Sequence, residues 1–424
     1  MQVFKFGGAS VNSLDRIQRV ASILSGHRGQ PLAVVVSAMG KTTNALERVA
    51  ESFFHGAQGE ARERFGEIKR QHLDVYNALM PGEGGQEALV DLFTEVEWLL
   101  HDRPVRSYDY YYDQIVCIGE LLSTTIMHHY LAHCGIPNTW LDVRDILRTD
   151  AGFRDANVDL DYAAREVSHR VRPLLDRGGM VLIQGFIGAT AENESTTLGR
   201  EGSDYTAAIF ANLLDASSLT IWKDVEGVMN ADPKRFPDAR IIRELNYTEV
   251  IEMAYYGAQV IHPKTIKPLQ NKHIPMHVRC FLDPSLRGTL IHDQAVRNLP
   301  PIIVLKQDQV LLHLRSKDFS FAGGNVLKDL YTLLESLHIQ PNLVQNGAIT
   351  IQLCVDDKGE RTERLAETVA ETFDVTVEKG LTLLTIRHFD NTLLATLTEG
   401  HTRLLQQQTP QTVQVLLRES YIVP

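Results

Sequence analysis

The 424-residue sequence lacks the features that mark several large classes of protein. No apolar run approaches the ~20 residues that a membrane-spanning helix requires. The N-terminus, MQVFKFGG, has no apolar core of a secretory signal. Lysine and arginine form no blocks, and 53 acidic against 42 basic residues give a net charge of −11. We therefore expect a cytoplasmic protein that binds neither nucleic acid nor a membrane.

Cysteine is scarce, and its spacing disfavours a structural metal site. The four cysteines form no CxxC pair, so neither a zinc site nor a disulfide framework is indicated. His129 and His133 in MHHYLAHCG would share one face of a helix and could bind a metal, but no third ligand stands at a useful spacing. A helix end that carries histidines is the alternative. The cysteines are Cys117, Cys134, Cys280 and Cys354.

Strand and helix patterns alternate along the first two thirds of the chain. A short strand at Val3–Phe6 is followed by two glycines and by apolar residues at helical spacing. Leu32–Val36 is a five-residue apolar run, which is typical of a parallel strand buried on both faces. Further elements are predicted as helices after Asn44, within residues 52–102 and at Ile115–Leu131, and as strands at Asn138–Leu141, Met180–Ile187 and Leu219–Trp222. This order favours an α/β fold with a mainly parallel sheet.

The pattern changes near Asn298-Leu299-Pro300-Pro301, where two prolines interrupt it. We therefore predict one domain over residues 1–296 and another over 297–424. The predicted tail elements are a strand at 302–314, a helix from 326 to 337, strands at 342–345 and 348–355, a helix at 360–373, strands at 375–377 and 381–386, and a last helix and strand ending at 413–417. The tail has no charged cluster suited to catalysis, so we interpret it as a ligand-sensing or dimerising module.

Two glycine-containing loops could bind anions. KFGGAS places Lys5 at a strand end, followed by glycines whose N–H groups can approach a ligand. LGREGSDYTAA places Arg200 before a helix that Ser203 and Asp204 are positioned to cap, and an arginine can bind a carboxylate through two parallel hydrogen bonds. A plain tight turn and a surface arginine beside an ordinary helix cap are the respective alternatives.

Two further stretches need an interpretation. VVVSAMGKTTN ends a strand with Gly40-Lys41-Thr42, like the end of a P-loop, but Val35 stands where the pattern needs its first glycine. IWKDVEGVMNADP places Lys223 and Asp224 directly after a strand, where an aspartate can order a nucleotide loop. The alternative for the second stretch is a turn in which Asp232 precedes Pro233.

Together these motifs resemble the aspartate kinases of the amino acid kinase family. KFGGAS, VVVSAMGKTTN, IGE at 118–120, LGREGSDYTAA, KDVEGVMNADP and YYGAQVIHPKTI occur in family order over about residues 1–292. The tail resembles the paired ACT modules of that family, of which the second is truncated. The resemblance implies an amino acid kinase fold, a mainly parallel sheet between helices, followed by βαββαβ ACT-like modules. It also implies transfer of a phosphoryl group from ATP, with Mg²⁺, to the β-carboxylate of L-aspartate, the first step towards lysine, threonine and methionine.

The resemblance also implies roles for individual residues. Lys5 and Asp204 would be catalytic, with Lys5 neutralising the transferred phosphoryl group. Glu120 would bind the substrate ammonium and Arg200 its α-carboxylate; the substrate would also contact Ser37, Thr43 and Ser203. No general base is needed, because the attacking group is already a carboxylate. The nucleotide would contact Lys5, Gly7, Gly8, Ser10, Lys223, Asp224, Met229, Lys234, Gln259 and Val260.

Three departures from the family pattern fall in the nucleotide pocket. Lys223 stands where threonine is usual, Met229 where tyrosine is usual, and Gln259 where the family has lysine; Ala9 also replaces a common threonine. We hypothesise that Lys223 replaces the charge that is missing at Gln259. An enzyme of the same fold acting on glutamate or carbamate, and a catalytically weakened paralogue that senses an amino acid, are the competing interpretations.

Regulation and assembly are further expectations from the resemblance. No GxGxxG motif of a fused homoserine dehydrogenase is present, so we expect a monofunctional kinase. In the family, lysine or threonine inhibits by binding between ACT modules of paired chains, which implies a homodimer or a higher homo-oligomer formed through the tail. The candidate effector residues are Ser316, Phe319, Gln345 and Asn346.

Overall fold

The computed structural model describes residues 1–82, 84–258, 261–318, 321 and 323–418. These residues form two compact units. The first lies within Met1–Val228, Ile241–Ile251 and Val260–Val296, and the second lies within Met229–Arg240, Glu252–Gln259 and Arg297–Pro424. The last segment of the second unit begins where the sequence predicts the second domain. Two earlier segments, which the sequence assigns to the first domain, also belong to the second unit.

An eight-stranded sheet is the centre of the first unit. Its strands follow the order β3-β4-β2-β1-β7-β9-β10-β8, and all neighbouring pairs are parallel except β9 and β10. β5 and β6 form a separate antiparallel pair. The bounds are β1 (Gln2–Phe6), β2 (Leu32–Val36), β3 (Thr139–Trp140), β4 (Met180–Gln184), β5 (Ile187–Ala189), β6 (Ser195–Thr197), β7 (Ser218–Lys223), β8 (Glu244–Asn246), β9 (Met276–Cys280) and β10 (Thr289–His292).

Helices cover this sheet because its central strands are apolar on both faces. All five residues of β2 and all five of β4 are buried, as expected for parallel strands between layers of helices. The helices of residues 1–296 are α1 (Leu14–Ser25), α2 (Thr42–Phe54), α3 (Gln58–Leu79), α4 (Glu87–Leu99), α5 (Tyr108–Val116), α6 (Ile118–His133), α7 (Leu160–Glu166), α8 (Arg172–Asp176), α9 (Gly202–Leu213), α10 (Tyr247–Tyr255) and α11 (Pro263–Gln270). In the described part of the chain, no helix has the length and apolar character needed to cross a membrane.

Parallel pairing brings the loops of the sequence motifs to one edge of the sheet. β1 pairs with both β2 and β7, and β2 pairs with β4, all in parallel. Their carboxyl ends are Phe6, Val36, Gln184 and Lys223. Because ligands of open α/β sheets bind beyond the carboxyl ends of the strands, this edge is where a site is expected.

The second unit contains a six-stranded antiparallel sheet in the order β12-β13-β11-β14-β16-β15. Apolar residues of α12 and α13, among them Leu330, Leu334 and Leu365, pack against residues of β11 and β13 in a buried cluster. The bounds are β11 (Ile302–Ser316), α12 (Gly324–Ser336), β12 (Pro341–Asn346), β13 (Thr350–Asp356), α13 (Glu360–Val369), β14 (Phe373–Arg387), α14 (Asn391–Leu397), β15 (Thr402–Gln408) and β16 (Thr412–Arg418).

Several predicted elements differ from those observed. The predicted helix Ile115–Leu131 is two helices, α5 and α6, which meet at Cys117. The predicted strand Met180–Ile187 is divided between β4 and β5. The strands predicted at 375–377 and 381–386 are one strand, β14, which continues through Gly380 at φ 74°. β15 was not predicted, so the second half of the tail has one strand more than the sequence pattern indicates.

Candidate active site

A cavity of about 420 Å³ opens at the carboxyl edge of the large sheet. It lies between the loop after β1, the loop after β2, and the loop that leads into α9. Predicted site residues in its lining are Lys5, Gly8, Ser37, Thr43, Glu120, Arg200, Ser203 and Asp204. Segments that are distant in sequence therefore converge on one space, which has the size of a small-molecule site.

Lys5 and Asp204 form a buried ion pair on one wall of the cavity. Lys5 Nζ lies 2.5 Å from Asp204 Oδ1, and the residues are 9% and 3% exposed. Burial by itself would raise the pKa of Asp204, but the charges of Lys5 and Lys223 and the hydrogen bond from Lys5 outweigh it and lower that pKa. Asp204 is therefore ionised at neutral pH and holds the Lys5 ammonium in place.

The start of α9 differs from the predicted helix cap. Glu201, in the left-handed conformation at φ 54°, is the N-cap and makes no side-chain cap hydrogen bond. Ser203 and Asp204 lie inside the first turn, so the prediction that they cap the helix is wrong. The physical reason is that the Asp204 carboxylate turns to Lys5 instead of to the helix N–H groups. The helix N-terminus still faces the cavity with its positive dipole end.

Glu120 is a buried carboxyl group with few hydrogen-bond partners among the described residues. It is 2% exposed, and its Oε1 accepts a hydrogen bond from the Ala38 N–H at 3.4 Å. Oε2 is buried and has no hydrogen-bond partner among the described residues. Burial raises the pKa of Glu120 to about 8, against smaller opposing effects that include the charge of Lys5. Such a group is suited to receive a cation from a ligand.

The loop that carries Arg200 is held from both sides. Gly199 and Glu201 have positive φ values of 74° and 54°, and Arg200 between them is exposed and lines the cavity. Glu201 Oε2 accepts the N–H of His262 at 2.8 Å. Lys264 Nζ donates to the Leu198 carbonyl at 3.1 Å. The start of α11 therefore fixes both ends of the loop.

The glycines after β1 permit a close approach of two loops. A Cβ at Gly8 would lie 2.8 Å from the Ala38 carbonyl oxygen, which is too close for any other residue. The Gly40 N–H donates to the Gly8 carbonyl at 3.0 Å. A Cβ at Gly7 would lie 3.4 Å from Lys5 Nζ, so backbone and ammonium share a small space. This cradle of N–H groups and a cation fits a phosphate group.

The other predicted nucleotide residues are placed as follows. Ser10 is buried and its hydroxyl donates to the Trp222 carbonyl at 3.4 Å. This hydrogen bond connects the loop after β1 to β7. Lys223 ends β7, and its positive charge is close enough to lower the pKa of Asp204. Asp224 is exposed, with its carboxylate 3.8 Å from Arg16 Nη1.

The remaining predicted positions belong to the second unit or lie outside the described residues. Met229 and Lys234 belong to the second unit, where the Lys234 N–H donates to Asp232 Oδ1 at 3.0 Å. Gln259, Val260 and Phe319 lie outside the described residues. Across the part of the chain that the structure describes, no group of three His, Cys, Asp or Glu side chains could hold a metal ion.

Tyr112 and Arg154 are among the lining residues that sequence reasoning missed. Arg154 adopts φ 74°, and its guanidinium lies 4.4 Å from the centre of the Tyr112 ring. Its backbone N–H donates to the buried Asp113, whose carboxylate also accepts from the N–H and hydroxyl of Thr197. The run of tyrosines in SYDYYYD is the signal that could have directed attention to this wall.

The candidate effector positions lie together in the second unit. Ser316 ends β11, and its N–H donates to the Ile349 carbonyl at 2.9 Å. Gln345 and Asn346 end β12, just before the turn that returns to β13. The exposed Gln345 and Asn346 therefore occupy the same end of the sheet as Ser316.

Comparisons with known proteins agree with this architecture. The model of the amino acid kinase family matches residues 1–280. Lysine-sensitive aspartokinase 3 of Escherichia coli is 32% identical over 394 residues, which cover 91% of this chain and 86% of that protein. The chain belongs to the amino acid kinase family, among the aspartokinases.

Two further relatives extend the comparison of this aspartokinase. A bifunctional aspartokinase/homoserine dehydrogenase 2 of Zea mays is 34% identical over 69% of the chain, which spans only 32% of that longer protein. The crystal structure of E. coli aspartokinase III with aspartate and ADP has a TM-score of 0.82 at 29% identity, over 98% of this chain and 96% of that one. That protein was also solved with lysine and aspartate, with the same TM-score. The predicted fold, an amino acid kinase domain followed by ACT-like modules, is confirmed.

Proposed function

We propose that this aspartokinase transfers the γ-phosphoryl group of MgATP to the β-carboxylate of L-aspartate, giving 4-phospho-L-aspartate and ADP. The observation that carries the proposal is the single cavity lined by Lys5, Glu120, Arg200 and Asp204. It combines a fixed cation, a carboxylate that lacks a partner on one oxygen, and an arginine on a constrained loop. The catalytic role belongs to residues 1–296, and regulation belongs to residues 297–424.

Substrate selection follows from two opposite charges in the lining. Arg200 binds the α-carboxylate through paired hydrogen bonds, and Glu120 binds the ammonium group through its buried oxygens. An acid without an α-amino group would leave Glu120 without a cation. Such an acid binds more weakly, because a buried polar group without a partner is costly. Ser37, Thr43 and Ser203 contribute hydroxyl groups to the same space.

The chemical step needs no proton transfer. An oxygen of the substrate β-carboxylate attacks the γ-phosphorus, the new O–P bond forms, and the bond from that phosphorus to the β,γ-bridging oxygen breaks. The electron pair of that bond leaves with ADP. Lys5, held by Asp204, neutralises charge on the transferred oxygens, and the N–H groups of Gly7 and Gly8 donate to them.

The nucleotide extends from this point towards the end of β7. Lys223 ends that strand and contacts the phosphates, and Asp224 directly follows it in the same loop. Mg²⁺, when bound with the nucleotide, neutralises phosphate charge and needs few protein ligands. Lys5 and Lys223 supply the protein's own positive charge on this side.

Feedback control and assembly complete the proposal. E. coli aspartokinase III was solved in complex with lysine, and here Ser316, Gln345 and Asn346 stand at one end of the antiparallel sheet, where lysine or threonine would bind. The edge strands β12 and β15 have no further strand beside them within the described residues. Since an open edge readily pairs with another chain, a homodimer or higher homo-oligomer forms through this region.

A coupled assay of ADP release tests the function. ADP formation that depends on L-aspartate, and is absent with L-glutamate or carbamate, supports it. ADP formation with glutamate in place of aspartate would move the assignment to another acid. Binding of an amino acid without any turnover would favour the sensor interpretation.

A further inference from the structure

A second cavity, of about 650 Å³, lies on one face of the large sheet in the first unit. The strand register brings its floor together: Phe4 pairs with Thr220, Thr220 with His277, and Trp222 with Arg279. Lys5 follows Phe4 in the strand, so the alternation of side chains directs it to the opposite face. The lining of this second cavity shares no residue with that of the proposed active site.

The lining carries positive charge and no negative charge. Three arginines contribute to it, Arg243, Arg279 and Arg287, whereas burial and the charge of Arg279 lower the pKa of His277, which also lines the cavity. No aspartate or glutamate lines it. In a protein with a net charge of −11, a cavity lined by cationic side chains of one sign indicates an anionic ligand.

Arg279 and Trp222 pack together in this lining, and each has a buried nitrogen without an acceptor among the described residues. Trp222 is 2% exposed, and its indole Nε1 has no hydrogen-bond partner among the residues that the structure describes. Arg279 Nε is also buried and without a partner in that set. The Arg279 guanidinium lies 5.1 Å from the centre of the Trp222 ring and donates to the Pro284 carbonyl through Nη2. The contact with Trp222 holds the Arg279 guanidinium in the cavity lining.

We propose that this cavity binds a small phosphate-bearing molecule. Its phosphate oxygens accept hydrogen bonds from the guanidinium of Arg279, and Arg243 and Arg287 add charge from the rim. Arginine suits phosphate because its planar fork presents two parallel donors. The volume exceeds that of a bare phosphate, and Phe4 and Leu290 offer apolar surface to an organic part. The proposal does not depend on the proposed kinase activity.

The test is a calorimetric titration of the full chain with three probes: inorganic phosphate, pyrophosphate and uridine monophosphate. Uridine serves as the uncharged control. The variants are Arg279→Gln and the double variant Arg243→Gln/Arg287→Gln. Arg243 and Arg287 are exposed, so we expect the double variant to fold normally. Lys5→Ala is the matched control, because it removes a cation from the other cavity.

We expect saturable binding of at least one phosphate probe, no binding of uridine, and unchanged binding by Lys5→Ala. Each arginine variant should weaken binding about tenfold or more, since charge-assisted hydrogen bonds are lost. Binding of uridine monophosphate alone assigns an organic phosphate, and equal binding of pyrophosphate assigns a polyanion; both support the proposal. The absence of binding, its loss in Lys5→Ala, or unchanged affinity in both arginine variants would overturn it.

Discussion

Lys5 Nζ lies 2.5 Å from Asp204 Oδ1, and this ion pair joins the end of strand β1 to the first turn of helix α9. Both side chains are buried beside the loop that carries Arg200. The pair thus links the cation proposed to contact the transferred phosphoryl group with the helix that follows the substrate loop. The two residues are therefore expected to act as a unit.

Asp204→Asn should lower kcat by about 10²- to 10³-fold, because Lys5 loses the charge that fixes it. The KM for L-aspartate should change much less, since Arg200 and Glu120 remain. Steady-state kinetics on Asp204→Asn and Lys5→Met check this. Equal loss of kcat in the two single variants and in the double variant is expected for residues that act as a unit. A kcat of Asp204→Asn within a fewfold of the parent would contradict the assigned role.

The same pair predicts a loss of stability in acid. The pKa of Asp204 is lowered in the folded state, so its stabilising contribution is fully present above the pKa of an unfolded aspartate and is lost as pH falls through the folded pKa. Removing one partner leaves a buried charge and should cost about 3–5 kcal/mol in the free energy of unfolding. Urea unfolding of Asp204→Asn at neutral and acidic pH measures both effects. The difference from the parent should shrink as the pH is lowered.

Glu120 predicts the opposite dependence on pH. Its folded pKa is raised to about 8 from an ordinary 4.5, so the folded state binds the proton more tightly and stability falls as pH rises between these values. Glu120→Gln should therefore be more stable than the parent above pH 8, by an amount on the order of a few kcal/mol, and this gain should vanish in acid. Denaturant unfolding across that pH range is the measurement. A gain that does not vary with pH would show that Glu120 stays ionised.

The pH dependence of catalysis should also report the ionisation of Glu120. Binding of the substrate ammonium requires the ionised form, so kcat/KM for L-aspartate should rise with pH up to about 8. In Glu120→Gln this rise should disappear and the KM for L-aspartate should increase. A pH profile that is unchanged in Glu120→Gln would assign the titration to another group.

Lys223→Thr tests whether Lys223 replaces a missing family lysine. A charged contact with the nucleotide phosphates is worth about 1 to 3 kcal/mol, so the KM for ATP should rise by about 5- to 150-fold. The exposed Lys41, which belongs to no phosphate motif, provides the control variant Lys41→Thr with an expected KM near that of the parent. If the KM for ATP is the same in Lys223→Thr, the hypothesis is wrong.

Lys264→Met tests the support of the substrate loop. Lys264 holds the Leu198 carbonyl and the exposed Asp155, so its loss should loosen Arg200 and raise the KM for L-aspartate severalfold, with a smaller change for ATP. Lys264→Arg should recover part of the affinity. Equal effects on both substrates would indicate general disruption of the fold.

Much of the catalytic edge was predictable because parallel strands place their carboxyl ends together. The apolar run Leu32–Val36 and the glycines after Phe6 identify strand and loop without a structure. The family resemblance implies one site for Lys5, Glu120 and Arg200, and all three line the same cavity.

Local patterns failed where distant contacts decide the outcome. Gly380 suggests a break, but the long partner strand β11 absorbs it with register shifts near Gln309, so β14 continues. Aspartate is a residue type that often caps helices, but the carboxylate of Asp204 turns to the charge of Lys5, which is far away in sequence. Arg154 joins the lining through an unusual backbone conformation that no periodicity reveals.

The most direct test of the account is to incubate the protein with MgATP, L-aspartate and hydroxylamine, which traps an acyl phosphate as the hydroxamate. Arg200→Ala is the variant and Arg200→Lys its partner, which keeps the charge and loses the paired hydrogen bonds. The account predicts hydroxamate from L-aspartate, none from L-glutamate, and a strong reduction in Arg200→Ala. No hydroxamate from L-aspartate, or the same yield in Arg200→Ala, would contradict it.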